Sequence, residues 1–330
     1  MNTSTLHPPV PASDAALVPP ATHAAGIDTT ANAAGTAERP VLFSCEGEHL
    51  LGVLHPALSA AGQAGALGVV VVVGGPQVRA GSHRQFVQLA RALAAAGHPT
   101  LRFDVRGMGD SSGVQRSFEH ISPDIGAAIS ALMAAQPQLP GVVLWGLCDG
   151  ASAALLYLHG QDDARVRGLC LLNPWVRSEA TEAQVQVKHY YAQRLLQPSF
   201  WRKLVAGGVG LQALRGVVSN VSTLLKARRA RAQTSPATSL HYVARMAAAW
   251  QAFSGPVLLQ LSENDFTARE FEAAMKSHPA WKGAARRANL VCWPIVQADH
   301  TLSEPACRLA AEMLCIKWLQ SLGNAPTSTH

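Results

Sequence analysis

From Pro40 onward, short apolar runs alternate with stretches of helical spacing. Residues 41–45 and 50–54 are apolar-rich and flank Glu46, Gly47 and Glu48, which predicts an antiparallel hairpin. The run at 67–73 is strand length and almost entirely valine, so it reads as a strand buried on both faces. Residues 85–96 show helical spacing that stops at Gly97. Further strands are predicted at 99–104, 142–145, 167–173, 256–261 and 289–296, with helices near 123–136, 151–159 and 305–322. Strands that alternate with helices imply an α/β class fold with an eight-stranded, mostly parallel sheet covered by helices on both faces.

Residues 1–39 break this pattern. They are rich in Ala, Thr and Pro without apolar periodicity and are expected to form a disordered tail. The periodic core is expected to run over 40–176 and 255–322, interrupted by a helical insertion at 177–254 and followed by a short tail at 323–330. With 330 residues, 48% of them hydrophobic, the chain has ample material for a large core. No apolar run approaches the roughly 18 residues needed to span a bilayer, and no secretory leader is evident. Six cysteines without paired spacing argue for reduced thiols, so a cytoplasmic location is expected.

Chemistry concentrates around Gly146, Leu147, Cys148, Asp149 and Gly150, between a predicted strand and a helix rich in small residues. Gly-x-Cys-x-Gly has the form of a nucleophile elbow, a sharp strand-to-helix turn that exposes the central side chain. Two glycines flanking one of six cysteines would arise by chance roughly 0.03 times in such a chain, so the pattern is informative. Cys45, Cys170, Cys292, Cys307 and Cys315 fall in strand or helix patterns and read as buried structural cysteines. Parallel sheets place their sites at the carboxyl ends of strands. Past the seventh strand stand Glu263 and Asp265; past the eighth stand Asp299 and His300. Nucleophile, acid, histidine is the chain order of an α/β-hydrolase triad, with Cys148, Asp265 and His300 as the candidates. Glu263 is the alternative acid, whereas Asp299 reads as a loop anchor. The oxyanion donors are expected to be the N–H of Asp149 and one in the loop Gly74-Gly75-Pro76-Gln77, from Gln77 or Gly75, since Pro76 has no N–H. Arg79, His83 and Arg84 follow closely and are candidate substrate contacts; an exposed helix start accounts for them equally well.

These residues give the sequence a recognisable character. The chain resembles the α/β-hydrolase superfamily across 40–322, and the stretch from Phe103 to Ser111 resembles that superfamily's loop after the fourth strand. Residues 74–77, 81–86, 146–150 and 173–176, with His189 to Tyr191 and Ser199 to Arg202, resemble the type-one hydrolases associated with the exosortase A system. That resemblance implies a cytoplasmic hydrolase linked to bacterial exopolysaccharide or protein-sorting loci. Cysteine in place of the superfamily's usual serine is a departure that dienelactone hydrolases share.

Charge singles out the insertion. From Ala183 to Ser262 there is no Asp or Glu, while ten Lys and Arg residues, Lys226 to Arg231 among them, make the stretch strongly basic. The whole chain carries +6, so the remainder sums to −4. The insertion reads as a solvated lid face, as the wall of a pocket for an anionic substrate, or as a peripheral membrane or partner contact. No nucleic-acid module and no metal-ligand spacing is present, and no cofactor is expected. Two functions are carried forward. One is hydrolysis of an ester or thioester bond in a small acyl or saccharide-linked substrate through a covalent acyl-enzyme, with acyl transfer as its close variant. The other is a catalytically idle fold that binds or assembles a membrane polysaccharide complex.

Overall fold

The computed structural model describes residues 38–58, 65–75, 77–159, 161–176 and 241–323. Most of the basic insertion, through residue 240, therefore lies outside the described residues, as do residues 1–37 and 324–330 of the tails expected at 1–39 and 323–330.

Eight strands form one sheet: β1 (Arg39–Cys45), β2 (Glu48–His55), β3 (Gly68–Val72), β4 (Thr100–Phe103), β5 (Val142–Leu147), β6 (Val166–Leu172), β7 (Val257–Ser262) and β8 (Leu290–Ile295). Their spatial order is β1-β2-β4-β3-β5-β6-β7-β8. Both pairings of β2 are antiparallel and all those from β4 through β8 are parallel, so β2 alone runs against the rest. The order doubles back at β3, which has β4 on one side and β5 on the other. Chain connections diverge there, leaving a crevice at the carboxyl ends of β3 and β5 in which a ligand site can form.

Alternation along the central strands explains why both sheet faces need cover. Val70, Val72, Leu144, Leu169, Leu171 and Leu259 point into one apolar cluster. Val69, Val71, Val73, Val143, Trp145, Cys170 and Leu258 point into the other. Helices α1 (Gln85–Ala95) and α6 (Pro305–Gly323) cover the second face through Phe86, Leu89, Leu93, Cys315 and Trp318. Helices α2 (Ser122–Ala135), α3 (Asp149–Leu158), α4 (Tyr242–Ala252) and α5 (Phe266–Ser277) supply the first. Each fully buried aliphatic or aromatic side chain contributes on the order of 1.5–3 kcal/mol by leaving water.

Two expectations change. The insertion was expected to extend to residue 254, yet α4 is part of the core cover: Val243, Met246 and Trp250 are buried against the first cluster. An apolar stripe at helical spacing has the same signature in a lid as on a core helix, which is why the boundary moved. Cys292, expected to be buried, is exposed because β8 is an edge strand, and its neighbours Val291 and Trp293 are exposed as well. Cys45, Cys170, Cys307 and Cys315 are buried.

Trp250 anchors the far end of this face. Its ring lies 5.6 Å from Trp281 and 6.4 Å from Phe271, and its indole N–H donates to the carbonyl of Ala284 at 3.2 Å. Replacing it with alanine opens a large cavity and leaves that carbonyl unpaired. A Trp250→Ala variant is expected to lose about 3–5 kcal/mol in urea unfolding, whereas Val291→Ala on the exposed edge is expected to lose well under about 1 kcal/mol.

Candidate active site

The elbow sits at the crevice. β5 ends at Leu147 and α3 begins at Asp149, so a single residue, Cys148, turns the chain between them at φ 59° and ψ −124°. Such a backbone conformation in a non-glycine residue costs on the order of 1–3 kcal/mol and persists only where neighbours fix it. The Cys148 N–H donates to Leu172 O at 2.9 Å, and its carbonyl accepts from the N–H groups of Ser152 and Trp175, each at 3.2 Å. Glycines let strand and helix approach this closely. A methyl group at Gly146 would lie 2.6 Å from Ala151 N, and one at Gly150 would run into the carbonyl of Val72 on β3. Ala151, Ser152, Ala153 and Ala154 continue the small, buried face.

Asp265 and His300 arrive from the neighbouring strand ends. Asp265 caps α5, accepting the N–H groups of Thr267 at 3.1 Å and Ala268 at 3.2 Å, and it is only 5% exposed. The same carboxylate takes His300 Nδ1 at 2.9 Å. The cap therefore fixes the carboxylate, and the carboxylate fixes the imidazole, leaving Nε2 for the nucleophile's side. Hydrogen bonds to Asp265 first and to Cys148 second push the imidazole up to about 10, against the opposing effect of its burial. Glu263 is occupied elsewhere, accepting the Gln297 N–H at 2.9 Å. Asp299 anchors its own loop through Ser303, whose hydroxyl and N–H hold its carboxyl low.

Cys148 and His300 line one cavity of about 210 Å³ together with Gly74, Gly75, Gln77, Asp149, Phe86 and Trp175. Pro76 lies outside the described residues. Gly75 takes φ +58°, the left-handed conformation that its lack of a side chain permits. The carboxyl of Asp149 lies against this loop, so that a methyl group built on Gly75 would stand 3.2 Å from its Oδ2. Burial pushes that carboxyl up, opposed by hydrogen bonds from the N–H groups of Asp149, Gly150 and Gly75 and by the charge of His300.

The three candidate substrate contacts are not brought to this cavity. Arg79 is drawn away by Asp104 and Asp110, which bind its guanidinium, and its N–H donates to Asp104 at 2.6 Å. Arg79 and Arg84 instead line a separate cavity of about 560 Å³. His83 is exposed, at φ 53°. Two positioning residues escaped the sequence reading. Buried Asp104 pins the loop after β3 through Arg79. Asn173, at φ 48° past β6, donates to Ser262 Oγ at 2.9 Å and to His300 O at 3.4 Å, tying the acid's strand to the histidine's loop. An asparagine directly before proline at a strand end was the available signal for Asn173; Asp104 offered none beyond its place in a glycine-rich loop. Among the described residues, no group of His, Cys, Asp and Glu is placed to hold a metal, and no helix is long and apolar enough to cross a membrane.

The family model described as serine aminopeptidase, S33, matches residues 66–276, more than half of the chain, and the chain belongs to that family. A comparison with curated protein sequences gives no match. Among solved structures, the Pyrococcus furiosus esterase Pf2001 is similar with a TM-score of 0.56 at 14% identity, over 87% of this chain and 93% of its own. An α/β serine hydrolase homologue from Coxiella burnetii gives 0.52 at 13%, over 84% and 96%. Est1E from Butyrivibrio proteoclasticus, seen with ferulic acid, gives 0.52 at 14%, over 85% and 99%. The sheet is thus an α/β-hydrolase fold.

A raised imidazole pKa links the site to stability. The protonated His300 is favoured in the folded chain, so its contribution is full below its unfolded value of about 6.5 and is lost as pH rises through about 10. An NMR titration is expected to find the His300 midpoint near 10, and an Asp265→Asn variant is expected to bring it down toward the ordinary histidine range. The stability difference between parent and variant should narrow above that midpoint.

Proposed function

We propose that this member of the S33 family is an acyl hydrolase that cleaves ester or thioester bonds through Cys148, His300 and Asp265. The reading rests chiefly on one arrangement: an imidazole held at Nδ1 by a capped, buried carboxylate, facing the same cavity as the elbow cysteine. An imidazole that basic readily takes the thiol proton. As it does so, the sulfur attacks the scissile carbonyl, and the carbonyl oxygen becomes an oxyanion near the N–H groups of Asp149 and of Gly75 or Gln77. Collapse expels the alcohol or thiol, which collects the proton from His300, and leaves a thioester on Cys148. His300 next deprotonates a water, whose oxygen adds to that thioester; loss of the carboxylic acid restores the thiol. An acceptor hydroxyl in place of water would make the same machinery a transferase.

The likeness of residues 74–77, 81–86, 146–150 and 173–176 to the exosortase A system-associated hydrolases suggests the setting, an acyl or saccharide-linked small molecule of bacterial surface polysaccharide assembly. Under that reading the protein works in the cytoplasm, with the basic stretch available to an anionic substrate or membrane surface. A binding role without turnover has a specific point in its favour, the Asp149 carboxyl beside the loop that would hold the oxyanion.

Turnover of p-nitrophenyl acetate distinguishes the two. Cys148→Ala is expected to reduce kcat/KM by at least about 10³-fold and His300→Ala by about 10²–10⁴-fold. A Cys148→Ala protein that hydrolyses the ester at the parent rate would overturn the proposal.

A further inference from the structure

The thiol's neighbour in sequence is its competitor in space. Oxyanion stabilisation in this fold needs two N–H groups directed at one point, that of the residue after the nucleophile and one from the loop after β3. Here the first belongs to Asp149 and the second is offered by Gly75 or Gln77, and the carboxyl of Asp149 itself lies against the Gly74–Gly75 end of that loop, where main-chain N–H groups of Asp149, Gly150 and Gly75 oppose the effect of its burial. The glycines of the loop make room for it. A side chain at Gly74 would overlap the Asp149 carboxyl and Gly150 N, and one at Gly75 would stand 3.2 Å from Asp149 Oδ2. The loop is also fixed from behind, where Arg79 is held by Asp104 and Asp110. Carboxyl and loop thus form one packed unit on the wall of the Cys148 cavity.

We infer that Asp149 is the specificity-determining residue of this site: its carboxylate occupies the oxyanion hole and must be displaced before an acyl group can react at Cys148. The inference rests on the acyl-hydrolase reading of the same cavity. A carboxylate in this place presents two oxygens to donors that would otherwise receive the oxygen of a tetrahedral intermediate. An ester that brings only a neutral carbonyl competes poorly with an anion for them. Substrates whose remote parts bind well enough to move Asp149 aside are favoured over small activated esters, because remote binding energy can offset the displacement. Asp149 thereby acts as a filter against adventitious acylation of a histidine-paired thiol.

Protonation acts in the same direction as displacement, because a neutral carboxyl is a weaker acceptor. Among the described residues, the ionisable groups that line the cavity besides Asp149 are Cys148, on the same turn, and His300, from the loop after β8; the described residues of the loop after β3 that line it, Gly74, Gly75 and Gln77, are not ionisable.

Two measurements on the full chain test this. In the first, the rate of Cys148 acylation by p-nitrophenyl acetate is followed in the parent and in Asp149→Ala, which keeps the main-chain donor and removes the carboxylate. The variant is expected to react about tenfold faster or more, with the ratio shrinking as pH falls through the Asp149 titration; Asp149→Asn should fall between them. Equal or slower acylation of the variant, still at Cys148, overturns the inference. In the second, the Gly75 amide resonance is followed by NMR. It should titrate with Asp149 in the parent and lose that titration in Asp149→Asn; a Gly75 resonance that does not respond overturns the inference, whatever the kinetics. If neither protein is acylated, the acyl-hydrolase reading fails, and the occupancy of the hole stands or falls on the Gly75 resonance alone.

Discussion

Everything at the site depends on one strained residue. Cys148 at φ 59° is a conformation that an isolated chain would abandon, and it is held because β5 pairs with β3 and β6 on either side while α3 packs directly beneath. Gly146 and Gly150 are the condition for that packing, since neither position tolerates a methyl group without displacing backbone. The same closeness places the first N–H groups of α3 beside the loop after β3. In the proposed reading, nucleophile and oxyanion donors are both consequences of a single contact between a strand, a helix and a neighbouring strand end.

Around this turn, two carboxylates do opposite things to one imidazole's surroundings. Asp265 is buried, loaded with two cap hydrogen bonds and directed at Nδ1, so its charge is fixed where it stabilises a protonated ring. Asp149 stands on the wall of the reaction cavity, bonded to main-chain donors, where its charge competes with the charge that the reaction would create. In the proposed mechanism the first would favour proton transfer from the thiol and the second would raise the barrier to the step that follows, which would make the site selective.

Much of this was legible in the residues. The valine run of β3 announced a buried strand, the short apolar runs of β6 and β7 announced strands, and the candidate order Cys148, Asp265, His300 followed from placing each residue just past a strand end. The helix that Asp265 caps, Phe266–Ser277, was not predicted from the sequence. Side-chain direction was not legible. Arg79 reads as a substrate contact until Asp104 and Asp110 are seen to hold it, and nothing in the sequence tells that the Asp149 carboxyl turns back onto Gly75. Partition between lid and core was equally hidden, because the apolar stripe of Tyr242 to Ala252 is the same whether its cover is a sheet or a pocket. Cys292 on β8 shows the remaining blind spot, since an edge strand differs from a central one only through what lies beside it.

The proposed role of Cys148 is that of a nucleophile that carries an acyl group. Its most direct test is rapid-quench mass spectrometry after the full-length protein is mixed with an acyl thioester such as acetyl-N-acetylcysteamine. An acetyl adduct is expected on the peptide that contains Cys148, formed within the first turnover, decaying as free acetate appears, and absent from His300→Ala. Acetylation spread over several cysteines, or confined to exposed Cys292, would contradict it.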